Sequence, residues 1–219
     1  MNSAAPPATG VHAALYQRVI QDALAHSGHL MERVVESTRQ SLQAREDLAR
    51  TPGERHSVMD ARQHLTRLTF VLCDRFPAAL QQALAEGAVQ KQKSTRSLFA
   101  VHFDELELMD ESQINDSVER ARAGQVVAEA VQTPLADLNA LLSAAQGQAT
   151  VSTDHNPLHP QLFLQALQAV VGQMQVSETV RRDWMWHLAQ ALGDELRVLY
   201  QELIGRLQEG GVEPAGYAV

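Results

Sequence analysis

The sequence is short of cysteine, aromatic residues and long apolar runs, and each shortage excludes a class of protein. A single cysteine, Cys73, among 219 residues cannot close an internal disulfide, so a disulfide-stabilised secreted domain is excluded. No stretch approaches the roughly 18 consecutive apolar residues that a membrane span needs, and the N-terminus lacks the basic and apolar parts of a secretory signal. We therefore expect a cytoplasmic protein without a membrane partner, and we expect Cys73 to be a small core residue.

Signs of catalytic chemistry are also missing. The sequence has no glycine-rich phosphate loop and no G-x-S-x-G nucleophile motif. Its adjacent glycines, Gly210 and Gly211, follow a predicted helix instead of preceding one. We predict no catalytic residues, no bound metal and no cofactor. The residues favour a noncatalytic module over the alternative, which is a helical metal-dependent or nucleotide-acting enzyme.

What the sequence does contain is helical periodicity. Apolar residues recur every three or four positions over long stretches, as in helices that pack one stripe against a partner, while β-branched residues rarely cluster as they do in strands. Thr51 starts one predicted helix, which bends or restarts at Pro77 and ends at Gly87. Another restarts at Pro134, and Ser177 caps the last. We predict an all-α fold of about six or seven helices packed as an irregular bundle, with one short extended acidic segment.

The polar and basic stretch 88–97 is the predicted linker. It separates an N-terminal helical region, 11–87, from a C-terminal helical region, 98–214, and tails flank them at 1–10, which we expect to be disordered, and at 215–219. The charge balance changes at the linker. Residues up to Arg96 carry 12 Lys and Arg against 9 Asp and Glu, whereas the rest of the chain carries 6 against 17. An acidic second part repels phosphates, so we expect no nucleic-acid partner.

The acidic strip is the stretch just after the linker in which acids alternate with leucines. Its residues are Asp104, Glu105, Leu106, Glu107, Leu108, Asp110 and Glu111. Carboxylates bind hard cations, but the strip lacks the glycine and the terminal glutamate of an EF-hand loop. The other interpretations are a solvated surface with acids at the start of a helix, and a docking site for a basic protein partner. We adopt the docking site as the hypothesis.

Two pairs of histidines raise the question of zinc. His26 and His29 lie three positions apart, and His155 and His159 flank a loop that contains a proline. Zinc needs three or four converging ligands, and neither pair has a cysteine or an H-E-x-x-H pattern beside it. We interpret both pairs as surface or capping histidines.

Trp184 and Trp186 lie two positions apart and therefore point to different sides of a helix. In one arrangement one ring is buried and the other partly exposed, and in the alternative both pack on neighbouring helices. An exposed tryptophan is a common contact anchor, so Trp186 joins the acidic strip as a candidate docking residue for a protein partner. Self-association through a long helix is a second contact that we expect.

Three parts of the second half carry distinctive motifs. The first is the stretch from Phe103 to Leu108 that runs on to Ser117–Arg122, the second is Asn156–Pro160, and the third is Leu199–Leu203 followed by Gly211–Pro214. Together they resemble a proteobacterial family catalogued as domain of unknown function 1631.

The resemblance implies that these motifs are structural, namely a docking segment, a loop and a helix exit. Members of that family are typically much longer, which implies that this region belongs to a longer, nucleotide-responsive protein. Proteins that look like this are sometimes labelled thymidine phosphorylase. Such an enzyme needs glycine-rich phosphate loops and an α/β domain, and this sequence offers neither. The expected function is therefore an interaction or regulatory module.

Overall fold

The computed structural model of the chain describes residues 10–94, 111–152 and 156–216. Over these residues the protein has six α-helices and no strand beyond an isolated bridge, which confirms the all-α prediction. The helices are α1 Gly10–Ala25, α2 Ser27–Leu48, α3 Pro52–Ser94, α4 Glu111–Ala145, α5 Pro160–Gly172 and α6 Glu178–Glu209.

Polar side chains cap the N-terminal ends of three helices. The Thr51 hydroxyl accepts a hydrogen bond from the Glu54 backbone N–H at 3.1 Å, as predicted, and Ser177 accepts one from Val180 at 3.3 Å. The ring of His159 does the same for α5 by accepting from the backbone N–H of Gln161. Each bond satisfies a donor that the first helical turn leaves without an intrahelical partner.

Two prolines and a glycine do not interrupt their helices. Pro77 and Pro134 both lie inside continuous helices, so the predicted restart at Pro134 is wrong. A Cβ atom built on Gly28 of α2 would lie 3.7 Å from Cγ of Pro77, so the Pro77 ring faces α2 at this point. Gly87 lies where Leu162 of α5 approaches α3. The predicted end at Gly87 is therefore wrong, and residues 88–94 of the predicted linker continue α3.

The first two helices are divided by a short turn at His26, and Gly28, two residues later, lies inside α2. The side-chain oxygen of Ser27 donates to the carbonyl of Leu24 at 2.6 Å, which holds this turn in place. Helix boundaries of this kind are local hydrogen-bond details that a single glycine does not determine.

Helix α6 is the centre of the molecule, because it contacts each of the other five described helices. The buried side chains of both halves form one apolar cluster, to which Trp184, Tyr200, Phe76 and Phe163 contribute the largest groups. Within the described residues no helix is long and apolar enough to cross a membrane.

Helices α4 and α6 form the most extensive contact of the bundle, and a glycine permits it. A Cβ atom built on Gly193 would lie 2.8 Å from the Cβ of Ala130 and 3.4 Å from the Cα of Val127. The two helices are therefore as close as a hydrogen side chain allows at this point.

Candidate functional site

Of the predicted docking residues, the structure places Trp186. Residues Asp104, Glu105, Leu106, Glu107, Leu108 and Asp110 lie outside the described residues, and Glu111 is the first residue of α4. The acidic strip therefore remains a sequence prediction. Trp186 is partly buried on α6, while Trp184 is fully buried, so one ring lies in the core and the other is partly exposed.

Trp186 is covered by an arginine. The guanidinium carbon of Arg122, on α4, lies 4.1 Å from the centre of the Trp186 ring. This is a cation–π contact, in which the negative face of the ring attracts the cation. Among the residues that the structure describes, Arg122 forms no ion pair with a carboxylate. Its charge is thus held in place by an aromatic ring and is available to an anion.

The Arg122–Trp186 pair lines a cleft of about 360 Å³ between α2, α4 and α6, which we call the arginine cleft. Two further arginines line it, and each faces a carboxylate. Arg45 Nη1 lies 3.2 Å from Asp183 Oδ1, and Arg182 Nε lies 3.8 Å from Glu119 Oε1. The second distance is too long for a hydrogen bond, so Arg182 keeps donors for another acceptor.

A second cleft, of about 480 Å³, adjoins the first and shares Arg182 and Glu119 with it. Arg120, Arg181 and Glu178 also line it. Arg181 donates to the carbonyl of Met174 at 3.3 Å, and its Nε is buried without a partner in the structure. We call the combined surface the arginine face and define it by five residues: Arg45, Arg120, Arg122, Arg181 and Arg182.

The arginine face is cationic, although the sequence predicts an acidic surface for the second half of the chain. Four of its five arginines lie after residue 97, where the sequence contains only six cationic side chains among 17 acidic ones. The two clefts are lined by five arginines and three carboxylates, those of Glu119, Glu178 and Asp183. A locally cationic surface therefore lies within the acidic half.

His187 lines the arginine cleft and also a third cleft, of about 370 Å³. Its ring is only 7% exposed, and its Nδ1 lies 2.8 Å from the hydroxyl oxygen of Ser41 on α2. Its other nitrogen, Nε2, is buried without a hydrogen-bond partner in the structure. We call the third cleft the serine cleft, because Ser37 and Ser41 of α2 form one wall.

Burial lowers the pKa of His187 below its ordinary value of 6.5. The charge of Arg45 lowers this pKa further, while the carboxylate of Asp183 acts in the opposite direction. The ring is therefore neutral at physiological pH, with one protonated nitrogen and one acceptor nitrogen.

We expect the free energy of unfolding to decrease as the pH falls below about 6.5. The unfolded chain binds a proton at His187 in this range and the folded chain resists it, so protons favour unfolding, by at most about 1.4 kcal/mol per pH unit. Urea unfolding of the protein and of the His187→Gln variant at several pH values measures the effect. The variant is expected to show a shallower slope, and equal slopes would contradict the assignment to His187.

Ser41 and His187 do not form a hydrolytic site. Both lie within helices, where the backbone N–H groups are bonded inside the helix and cannot serve as an oxyanion hole. Asp183 is paired with Arg45, so it does not orient the imidazole as the acid of a triad does. Over the described ranges, no three histidine, cysteine or acidic side chains converge as a metal site would require.

The other singled-out side chains have local roles. His26 and His29 are exposed, and each bonds within its own helical turn, to the carbonyl of Asp22 and to the carboxylate of Glu32. Cys73 is half-buried, and its burial, reinforced by Glu32, raises the thiol pKa to about 11. The thiol is thus protonated and unreactive at neutral pH. His155 lies outside the described residues.

Two of the distinctive sequence motifs meet in the structure. The Tyr200 hydroxyl donates to the carbonyl of Leu158 at 2.5 Å, and both side chains are completely buried. Asn156 is also buried. It donates to Asn139 at 2.8 Å and accepts from the Leu158 backbone N–H at 2.7 Å. These motifs therefore fasten the α4–α5 loop to α6.

The fold and its surface define an all-α protein with open charged clefts. The model of a protein family, described as the N-terminal domain of a protein of unknown function (DUF1631), matches residues 11–211. The chain belongs to this family. The match extends through the first half of the chain, which contains none of the three motifs that carry the resemblance. Neither a curated protein nor a solved structure matches the chain.

Proposed function

We propose that this protein is a noncatalytic interaction module of the bacterial cytoplasm whose arginine face binds an acidic segment of a partner protein. The observation that carries the proposal is Arg122, which stacks on Trp186 at 4.1 Å and has no carboxylate partner among the described residues. An arginine held in this way loses little side-chain freedom when it binds, and its planar donors match a carboxylate in two parallel hydrogen bonds.

The surroundings of Arg122 favour a protein segment over a nucleic acid. Glu119 and Asp183 lie between the arginines of the cleft and would repel a continuous chain of phosphates. A peptide places its carboxylates at intervals, so it can present them to Arg122 and Arg182 and keep apolar groups for Met185 and Trp186. Tryptophan and arginine are also the residues that most often anchor protein interfaces.

We expect a fluorescent peptide of about twelve residues, in which glutamates alternate with leucines, to bind the protein and to be released by salt. The double substitution Arg122→Ser and Arg182→Ser is expected to weaken this binding on the order of 10- to 100-fold, because each charged hydrogen bond contributes about 1.5–3 kcal/mol, part of which water replaces. Fluorescence anisotropy measures the affinity, and circular dichroism shows whether the variant is folded.

Arg206→Ser is the matched control, since Arg206 is an exposed arginine of α6, the helix that carries Arg182, and it pairs with Asp22 and lies outside these clefts. This variant is expected to bind the peptide as the unchanged protein does. A peptide in which lysines replace the glutamates is expected not to bind. The proposal is wrong if the acidic peptide does not bind, or if both arginine variants bind it equally. Preference for an oligonucleotide would replace the protein segment with a nucleic acid.

Three further hypotheses remain beside this one. The acidic strip would bind a basic partner, and long helices would mediate self-association. The third is that the chain belongs to a longer, nucleotide-responsive protein. None of the three is needed for the arginine face to act.

A further inference from the structure

The arginine cleft and the serine cleft both lie along α6, and His187 lines both. On α2 the lining residues continue from Arg45 through Ser41 to Ser37 at intervals of one helical turn. On α4 they continue from Ala123 to Ala130. An extended segment bound in the arginine cleft can therefore continue past His187 into the serine cleft.

The unpartnered nitrogen of His187 indicates that a polar group of a ligand binds beside it. The neutral ring has one donor and one acceptor, and Ser41 uses only Nδ1. In one tautomer Nε2 is an unsatisfied donor, and in the other it is an unsatisfied acceptor, so the structure lacks a polar partner in either case. Leaving such a buried group unpaired is costly, and native proteins seldom do so.

The chemistry of the serine cleft selects the kind of group. Its polar lining consists mainly of uncharged side chains, those of Ser37, Ser41, His187 and Gln190, and its one carboxylate, Asp194, is paired with Arg197 at 3.0 Å. Val126, Ala130 and Ala191 supply the apolar wall. A lining without a surplus of charge favours an uncharged ligand group, because a buried charge would stay unpaired there.

We propose that the serine cleft binds the carboxamide side chain of an asparagine or glutamine in the same partner segment whose acidic residues occupy the arginine cleft. A carboxamide both donates and accepts hydrogen bonds, so it satisfies Nε2 of His187 in either tautomer and can also reach the hydroxyl groups of the serines. This inference rests on the proposed function and specifies its partner as a segment with acidic and amide side chains in a fixed spacing.

The test uses the unchanged 219-residue chain and a series of acidic peptides that differ at one position. In each peptide a leucine outside the acidic centre is replaced by asparagine, which has nearly the same size. We expect the replacement to strengthen binding about 5- to 10-fold at one or two positions and to weaken it or have no effect elsewhere. In the Ser41→Ala variant, whose substitution lies in the serine cleft and outside the arginine cleft, this preference is expected to disappear while salt-dependent binding of the acidic peptide persists.

A second measurement does not depend on variants that remain folded. The ¹⁵N resonance of His187 Nε2 in the unchanged protein is expected to move when the preferred asparagine peptide is added, and to stay in place with its leucine counterpart. Equal binding of all acidic peptides, with an unmoved resonance, would overturn the carboxamide site and leave the proposed function intact. Failure of every acidic peptide to bind would overturn both.

Discussion

Replacing Trp184 with alanine is expected to lower the free energy of unfolding by about 3–5 kcal/mol. The ring is completely buried between α6 and α3, and its Nε1 donates to the carbonyl of Ala61 at 2.9 Å. The substitution therefore leaves a large cavity and removes the hydrogen bond of a buried carbonyl at the same time. Urea unfolding followed by circular dichroism measures the loss.

One further variant separates the two contributions to this loss of stability, and a second variant is its control. Trp184→Phe keeps most of the ring volume and loses the donor, so it is expected to cost clearly less than Trp184→Ala. Trp186→Ala is the matched control, because the same kind of ring two positions away is only partly buried and contacts Arg122. We expect it to cost less than about 1.5 kcal/mol. Equal losses at the two tryptophans would mean that Trp184 is not the core ring.

Replacing Gly193 with alanine is expected to destabilise the protein by about 1–3 kcal/mol, although alanine is the better helix former. The new methyl group would lie 2.8 Å from the Cβ of Ala130, and that atom cannot rotate away as the end of a long side chain would. Helices α4 and α6 must therefore separate along their most extensive contact. Thermal and urea unfolding measure this effect.

The control for this substitution is Gly205→Ala in the same helix, where the added methyl group meets no atom within 4 Å. It removes a flexible residue without a clash and is expected to stabilise the protein by about 0.5–1 kcal/mol. Adding Ala130→Gly to the Gly193→Ala variant frees the space again and is expected to recover part of the lost stability. If the two glycine substitutions change the stability in the same direction, α4 and α6 do not make the close contact described.

The helices could be predicted from the sequence because burial repeats with the period of the helix. Leu65, Leu72 and Phe76, which recur at helical spacing along α3, are completely buried. Caps were equally predictable, since Thr51 and Ser177 act on donors three residues away. Gly87 and Pro134 misled the prediction, because local preferences were outweighed by packing such as that of Leu162 on Gly87.

The arginine face could not be predicted in this way. Arg45, Arg122 and Arg182 come from three helices and are far apart in the sequence, so only the tertiary packing brings them to one cleft. Charge counted along the chain even pointed the other way, because averaging over residues 97–219 hid the arginines among the acids. Trp186 was the one available signal, and its value became clear only when Arg122 was found above it.

The central position of α6 has a consequence for how the protein is made. A ribosome synthesises α1 to α5 before α6, and each of these five helices packs against α6. The nascent chain therefore exposes apolar surface until residues 178–209 have left the exit tunnel, and the bundle can close only then. A chain cut before α6 is expected to aggregate or to be degraded, so the synthesis of α6 decides whether the five helices before it survive.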